Sequence, residues 1–209
     1  MSVKENIEEI VKAMENLEKT QLYDVEKYTC SLLHQTLELE YFYCHLVKEY
    51  EKECDETFYY IYKRPREHQL AYFNIGRGFP KELMDGHWCY VLKDLGYKMI
   101  VIPCTSLKGK EDECHPDFEK DIDVKMKNRK TKSRLQLSDI RSVDVQRIDL
   151  RKRFCHVFTS REEIIDFIKD KLFDTNFINT YQNHHDKNKY KKRTLKWGSS
   201  INLIDVLYL

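Results

Sequence analysis

The sequence is poor in the features that define several large classes. It has six glycines and four prolines in 209 residues, with no internal repeat and no low-complexity segment. A repeat array is therefore excluded. No apolar run approaches the roughly 20 residues of a membrane-spanning helix. With 34% of residues charged, no membrane partner is expected. The opening MSVKENIEEI holds no apolar signal region, so the expected location is cytoplasmic. The seven cysteines are odd in number and form no Cys-x-x-Cys pair. Reduced thiols are expected, not a disulfide framework or a zinc site. The neighbours Cys114-His115 and Cys155-His156 are read as coincidence. The net charge is only +1, so global charge announces no nucleic-acid partner.

What is present begins with helices. Hydrophobic residues make up 41% and aromatics 12%, enough for a core. Ser2 and Glu5 form a capping box, followed by Val3, Ile7, Ile10, Val11, Met14 and Leu17 at helical spacing. A second helix is expected over Leu22 to Glu53, with a possible break near Gln35-Thr36. Together they would form a helical hairpin whose stripe must pack on the barrel, on a second copy, or on a partner. Phe58 to Tyr62 reads as an edge strand or a frayed helix end. Strands are expected at Gln69–Ile75, Ile122–Met126, Arg134–Leu137, Ser142–Ile148 and Phe154–Phe158. Ser160 and Glu163 form a second capping box, opening a helix with Ile164, Ile165, Phe167, Ile168 and Leu172 on one face. Short, closely spaced strands followed by a helix predict an α+β chain built on a small, bent, partly open β-barrel. The expected divisions are 1–62, helical extension; 63–174, barrel with its C-terminal helix; and 175–209, basic tail. Ile201 to Leu209 is apolar enough to dock, as strand or helix.

The chain is organised around Gly76 to Ser106. A Gly/Pro-rich loop, Gly76-Arg77-Gly78-Phe79-Pro80, leads through Glu82, Asp85 and Gly86-His87 into a hairpin. Its strands are Trp88–Leu92 and Met99–Ile102, turning at Asp94-Leu95-Gly96. Antiparallel pairing lets His87 face Thr105 and Ser106. An imidazole facing two hydroxyls fits a reaction site; an ordinary surface histidine at a strand end fits the same pattern. Two basic runs, Lys125 to Arg134 and Lys187 to Lys196, each hold six cations and no acid. They fit phosphate contacts, and equally a solvated loop and a tail.

Three blocks carry a resemblance. Gly76, Gly78, Pro80, Glu82, Asp85 and His87 form a loop like G-x-N-x-G-x-E-x-x-G-x-H. Pro103-Cys104-Thr105-Ser106 is like P-[LIC]-[ST]-S. Ser133 to Ile148 is like S-x-[VL]-x-L-x-Q-[IV]-R-[ST]-[IV]-D-x-x-R-[LI]. In this order, over about residues 67 to 150, they resemble the MazF/PemK toxins of type II toxin–antitoxin pairs. Two departures are plain. Glu67-His68-Gln69 replaces the Arg-Gly-Asp opening of the first strand, and many relatives carry Arg where this chain has His87.

The resemblance implies an SH3-like barrel, a homodimer, an antitoxin partner, and metal-independent cleavage of single-stranded RNA in a toxin–antitoxin or phage-defence setting. No cofactor is implied. In such cleavage the 2′-hydroxyl attacks, and His87 suits the acid or base role. Thr105 and Ser106 would donate to phosphate oxygens, and Arg77 would supply positive charge from the loop. Glu82 would orient His87 or accept from the loop backbone. Trp88, Tyr72 and Phe79 would stack bases or serve the core. Lys127, Arg129, Lys130 and Lys132 would meet RNA phosphates, with Arg141 either joining them or pinning its turn. The alternative is a non-catalytic relative that binds RNA or a protein partner through the barrel or the helical extension.

Overall fold

A computed structural model describes residues 2–47, 61–77, 79, 82–107, 114–126 and 129–173. The strands are β1 (Gln69–Asn74), β2 (Gly86–Asp94), β3 (Lys98–Ser106), β4 (Glu119–Met126), β5 (Arg129–Gln136), β6 (Arg141–Asp144) and β7 (Cys155–Val157). The helices are α1 (Val3–Thr20), α2 (Val25–Tyr41) and α3 (Arg161–Phe173). All strand pairings are antiparallel. Six strands close a barrel in the order β2-β1-β7-β4-β5-β3, with β3 returning to β2. The seventh, β6, is attached to β3. The closure leaves β3 hydrogen-bonded on both edges. One edge runs along β2 from Cys104↔Trp88 to Met99↔Asp94, with a register shift between Val91 and Lys93. The other edge holds β6 along Lys98–Val101 and β5 along Cys104–Ser106.

The pleat's period of two sorts the side chains onto two faces. Leu70, Tyr90, Ile102, Cys104, Ile122, Val124, Leu135 and Val157 fill the interior, where Ile164 and Ile168 of α3 pack against them. Ala71, Phe73, Cys89, Val91, Met99, Val101, Val143 and Ile148 form a second cluster on the opposite face of β1–β3. These strands are buried on both faces, which is why Trp88–Leu92 and Met99–Ile102 are continuous apolar runs. Each fully buried aliphatic side chain contributes about 1.5–3 kcal/mol.

The helix starts follow local chemistry. Ser2 and Glu5 make their reciprocal capping bonds, and Ser160 Oγ accepts from Glu163 N at 3.1 Å. The second helix starts later than expected. Asp24 caps it by accepting from Lys27 N at 3.0 Å, so it starts at Val25, not Leu22. It passes Gln35-Thr36 unbroken and widens into a π-helical turn over Phe42–Val47; the stretch on to Glu53 lies outside the described residues. α2 meets the barrel where Asn74 Nδ2 donates to Glu38 Oε1 at 3.0 Å.

Other expectations shift. Ser142–Ile148 is not one strand: Asp144 accepts from Gln146 N at 2.8 Å and turns the chain into a 3₁₀ turn over Val145–Arg147. The expected strand at Arg134–Leu137 starts at Arg129 and the one at Ile122 starts at Glu119. Of the aromatic run, Phe58 to Tyr60 lie outside the described residues, whereas Ile61 packs into the second cluster. Residues 174–209, with the second basic run and the apolar end, also lie outside them. Among the described residues no helix is long and apolar enough to cross a membrane.

Leu135→Ala should lower unfolding free energy by ~2–5 kcal/mol, through lost transfer energy and a cavity. Leu17→Ala on α1, a helix that buries no residue, should change it by about 0.5 kcal/mol or less. Urea titrations of both variants check the contrast. A second test uses Glu67, which accepts from Lys93 Nζ at 2.9 Å, Arg161 Nη2 at 2.6 Å and Asp94 N at 3.3 Å. Lys93 foremost, with Arg161 and the Asp94 amide, holds this carboxyl down at about 2 against its desolvation. A depressed carboxylate stabilises the fold above its unfolded value near 4.5, and this is lost as pH falls toward 2. Glu67→Gln should thus lower Tm at pH 7, and the gap should close by about pH 2.

Candidate functional site

The loop between β1 and β2 is held shut by its own residues. Ile75 N donates to Asp85 O at 2.9 Å and Asp85 N to Gly76 O at 2.6 Å. Arg77 grips Asp85 with two bonds, Nε to Oδ1 at 2.8 Å and Nη2 to Oδ2 at 2.5 Å. That pairing raises the Arg77 pKa. Asp85 has φ +64°, a left-handed conformation that Asp tolerates better than most residues. At the tip, Glu82 Oε2 accepts from Phe79 N at 3.1 Å, and Glu82 N donates to Phe79 O at 2.8 Å. Glu82 therefore braces the loop backbone, one of its two expected roles. Phe79 stands 79% exposed at this tip, outside the core. Gly78 and Pro80 lie outside the described residues.

His87, the second residue of β2, is half-buried. Its Nε2 lies 2.9 Å from Met84 O. A carbonyl only accepts, so Nε2 carries a proton and Nδ1 is left as the nitrogen for proton transfer. The register Trp88↔Cys104, continued by one residue, sets His87 across from Thr105. Opposed residues share a face, so His87 and the exposed Thr105 look out on the same side. Alternation turns Ser106 to the other side. On its far edge Thr105 pairs with Arg134, and Arg134 with Asp121. One transverse row thus runs His87, Thr105, Arg134, Asp121 across β2, β3, β5 and β4.

In the sequence Arg134 is one charge of the basic run Lys125 to Arg134. It is buried, with Nε 2.7 Å from Asp121 Oδ1, Nη2 3.2 Å from Asp121 Oδ2 and Nη1 3.4 Å from Glu119 Oε2. Asp121 raises its pKa and keeps it charged. Its signal in the sequence was its place just inside the third block, after Ser133. Arg141 pairs across from Val101 and donates Nε to Asp139 O at 3.4 Å, so it pins its own turn. Its charge also bears on the buried Cys89 thiol of the same face, against the burial that raises that thiol's pKa.

The basic run is not the loop expected from sequence. Lys125 lies on β4, and Arg129, Lys130, Lys132 and Arg134 lie on β5, whereas Lys127 lies outside the described residues. Cross-strand pairing interleaves the cations with acids that lie outside the run: Lys132 opposes Asp123, and Lys130 Nζ sits 3.1 Å from Asp123 and over the Phe158 ring. Arg129 and Lys132 remain exposed.

The helical extension reaches this site. A cleft of about 260 Å³ separates α2 from the loop, with Lys27, His34 and Gln35 on the helix side and Asn74, Arg77 and Asp85 on the barrel side. Gly76, at φ +90°, lies under Gln35; a Cβ there would come within 2.6 Å of Gln35 Oε1. Among the described residues, no group of three or more His, Cys, Asp or Glu is arranged to hold a metal ion. No family model matches the chain, and no curated protein matches its sequence.

Asp85→Ala should open the loop. It removes the partner of a nearly buried guanidinium and places Ala in a left-handed conformation that costs ~1–2 kcal/mol. Asp85→Asn tolerates the conformation and should lose less. Amide exchange at Ile75, whose N–H is bonded to Asp85 O, should quicken in the order parent, Asn variant, Ala variant. An unchanged rate in the Ala variant would show that the clasp does not hold the loop.

Proposed function

We propose that this chain is an endoribonuclease of the MazF/PemK kind, built on an SH3-like barrel, that cuts single-stranded RNA by 2′-hydroxyl attack without a metal. One observation carries the reading. β3 is hydrogen-bonded to β2, β5 and β6. The glycine loop and His87 enter on β2, the Pro103–Ser106 block ends β3, and the third block spans β5 and β6. The loop, the end of β3 and Ser133–Leu135 at the front of the third block thus meet at one strand end, whereas β6 pairs with the start of β3 at Lys98–Val101.

In this reading Nδ1 of His87 takes the 2′-hydroxyl proton as the oxygen attacks phosphorus. The 5′-oxygen leaves and takes up a proton from water. Fragments then carry a 2′,3′-cyclic phosphate and a 5′-hydroxyl. The Thr105 hydroxyl donates to a non-bridging oxygen, and Arg134, next to it in the row, contributes fixed positive charge. Phe79 stacks on an unpaired base. The β5 strand carries the RNA backbone outward from Ser106 past Lys132 and Arg129, and Lys127 adds a further phosphate contact in this reading. An antitoxin belongs to the same reading. The clasp of Arg77 onto Asp85 favours a second one, an RNA-binding relative that does not cut, because it takes the loop cation out of use.

The two readings separate on mixed single-stranded RNA incubated with purified protein in EDTA. Cleavage with cyclic-phosphate ends is expected, reduced ~10²–10⁴-fold in His87→Ala and reduced in Thr105→Val, both folded. Binding without fragments would establish the second reading. Replacing Lys127, Arg129, Lys130 and Lys132 by Gln should weaken all RNA sequences alike and flatten the log affinity–log salt slope by ~0.7 per lost phosphate contact. Lys130 is already paired with Asp123 and should add least. An unchanged slope would remove the hairpin from the RNA path.

A further inference from the structure

α1 carries a feature that RNA cleavage does not use. None of its 18 residues is buried. Val3 is 77% exposed, Ile7 55%, Ile10 46% and Leu17 41%, and its contact with α2 is sparse. With Met14, these residues recur at alternating steps of four and three, the 3.5-residue period of a two-stranded coiled-coil seam. A capped helix with such a stripe needs a partner to cover it.

The flanks of the stripe identify that partner. At seven-residue intervals along one side stand Lys4, Val11 and Glu18; along the other stand Asn6, Ala13 and Thr20, all uncharged. We propose that α1 pairs with α1 of a second copy of this chain, antiparallel, about a two-fold axis at Val11. Seam residue Ile7 then lies against Leu17 of the partner subunit, and Ile10 against Met14 of the partner subunit. On the charged flank, Lys4 meets Glu18 of the partner subunit, and symmetry makes this pair twice. Val11 meets its own counterpart at the axis, where repulsion would otherwise fall. In a parallel pair the charged flank would face the uncharged one, and both ion pairs would vanish. The charge pattern thus selects a second copy and its direction. The Lys12–Glu9 ion pair lies on the outer face and is compatible with this arrangement.

Sedimentation equilibrium on the full chain tests the proposal. A reversible dimer is expected. Ile10→Asp should make it monomeric while leaving cooperative barrel unfolding intact. Lys4→Glu and Glu18→Lys should each weaken the dimer about ten-fold, because each turns both symmetric pairs repulsive. The double swap Lys4→Glu/Glu18→Lys should return it to within about three-fold of the parent. A chain that stays monomeric up to high concentration overturns the proposal. So does a dimer that survives Ile10→Asp, since it must use another surface. A double swap that fails to restore association overturns the antiparallel pairing.

Discussion

The structure depends on a single strand. β3 must satisfy its backbone on both edges at once, because an unpaired buried amide or carbonyl costs about as much as a lost hydrogen bond. It does so by dividing one edge between β6 and β5 and giving the other to β2. The division closes the barrel, and burial follows from it. Met99 and Val101 face the second cluster and Ile102 and Cys104 the interior, so the strand has no solvated face until Thr105. Past Cys104, where the β2 register ends while pairing with β5 runs on to Ser106, the first exposed side chains are Thr105 and Ser106. The candidate site lies there because a doubly buried strand runs out of core at that point.

Two salt bridges hold this strand end in place from either side. Arg77–Asp85 keeps the preceding loop folded back on itself, and Arg134–Asp121 fixes the neighbouring hairpin. Both guanidiniums are nearly buried, and each depends on its carboxylate, since removing the partner would leave an uncompensated buried charge. Positive charge near the site is therefore structural first. The Arg134 charge beside Thr105 remains part of the local field even though its hydrogen bonds go to Asp121 and Glu119.

What was legible in the sequence was local. The Ser2/Glu5 and Ser160/Glu163 boxes depend on three-residue spacing, and the β2–β3 hairpin on a tight turn between apolar runs. What was not legible depended on residues distant in the chain. The run from Lys125 to Arg134 reads as a loop because ten residues without an acid look solvated. Its acids, Asp121 and Asp123, come from the strand before it, and Ser133, Arg134 and Leu135 are all buried, with Asp121 paired to the Arg134 guanidinium. The eight-residue step from Arg77 to Asp85 has no local signature. Nor does a hydrophobic stripe tell whether it is covered: α1 has the pattern of a packed helix, yet it has no buried residue and meets little among the described residues.

The central claim is that RNA is engaged at the exposed end of β3, where loop, strand end and third block meet. Its most direct test is an NMR titration of the full chain with a single-stranded RNA whose 2′-hydroxyls are methylated, which binds but cannot be cut by 2′-attack. The account predicts shifts concentrated in the amides of Ile75 to Trp88, Cys104 to Ser106 and β5, with α1 unmoved. Shifts confined to the helices, or none at RNA concentrations that saturate other single-strand binders, would contradict it.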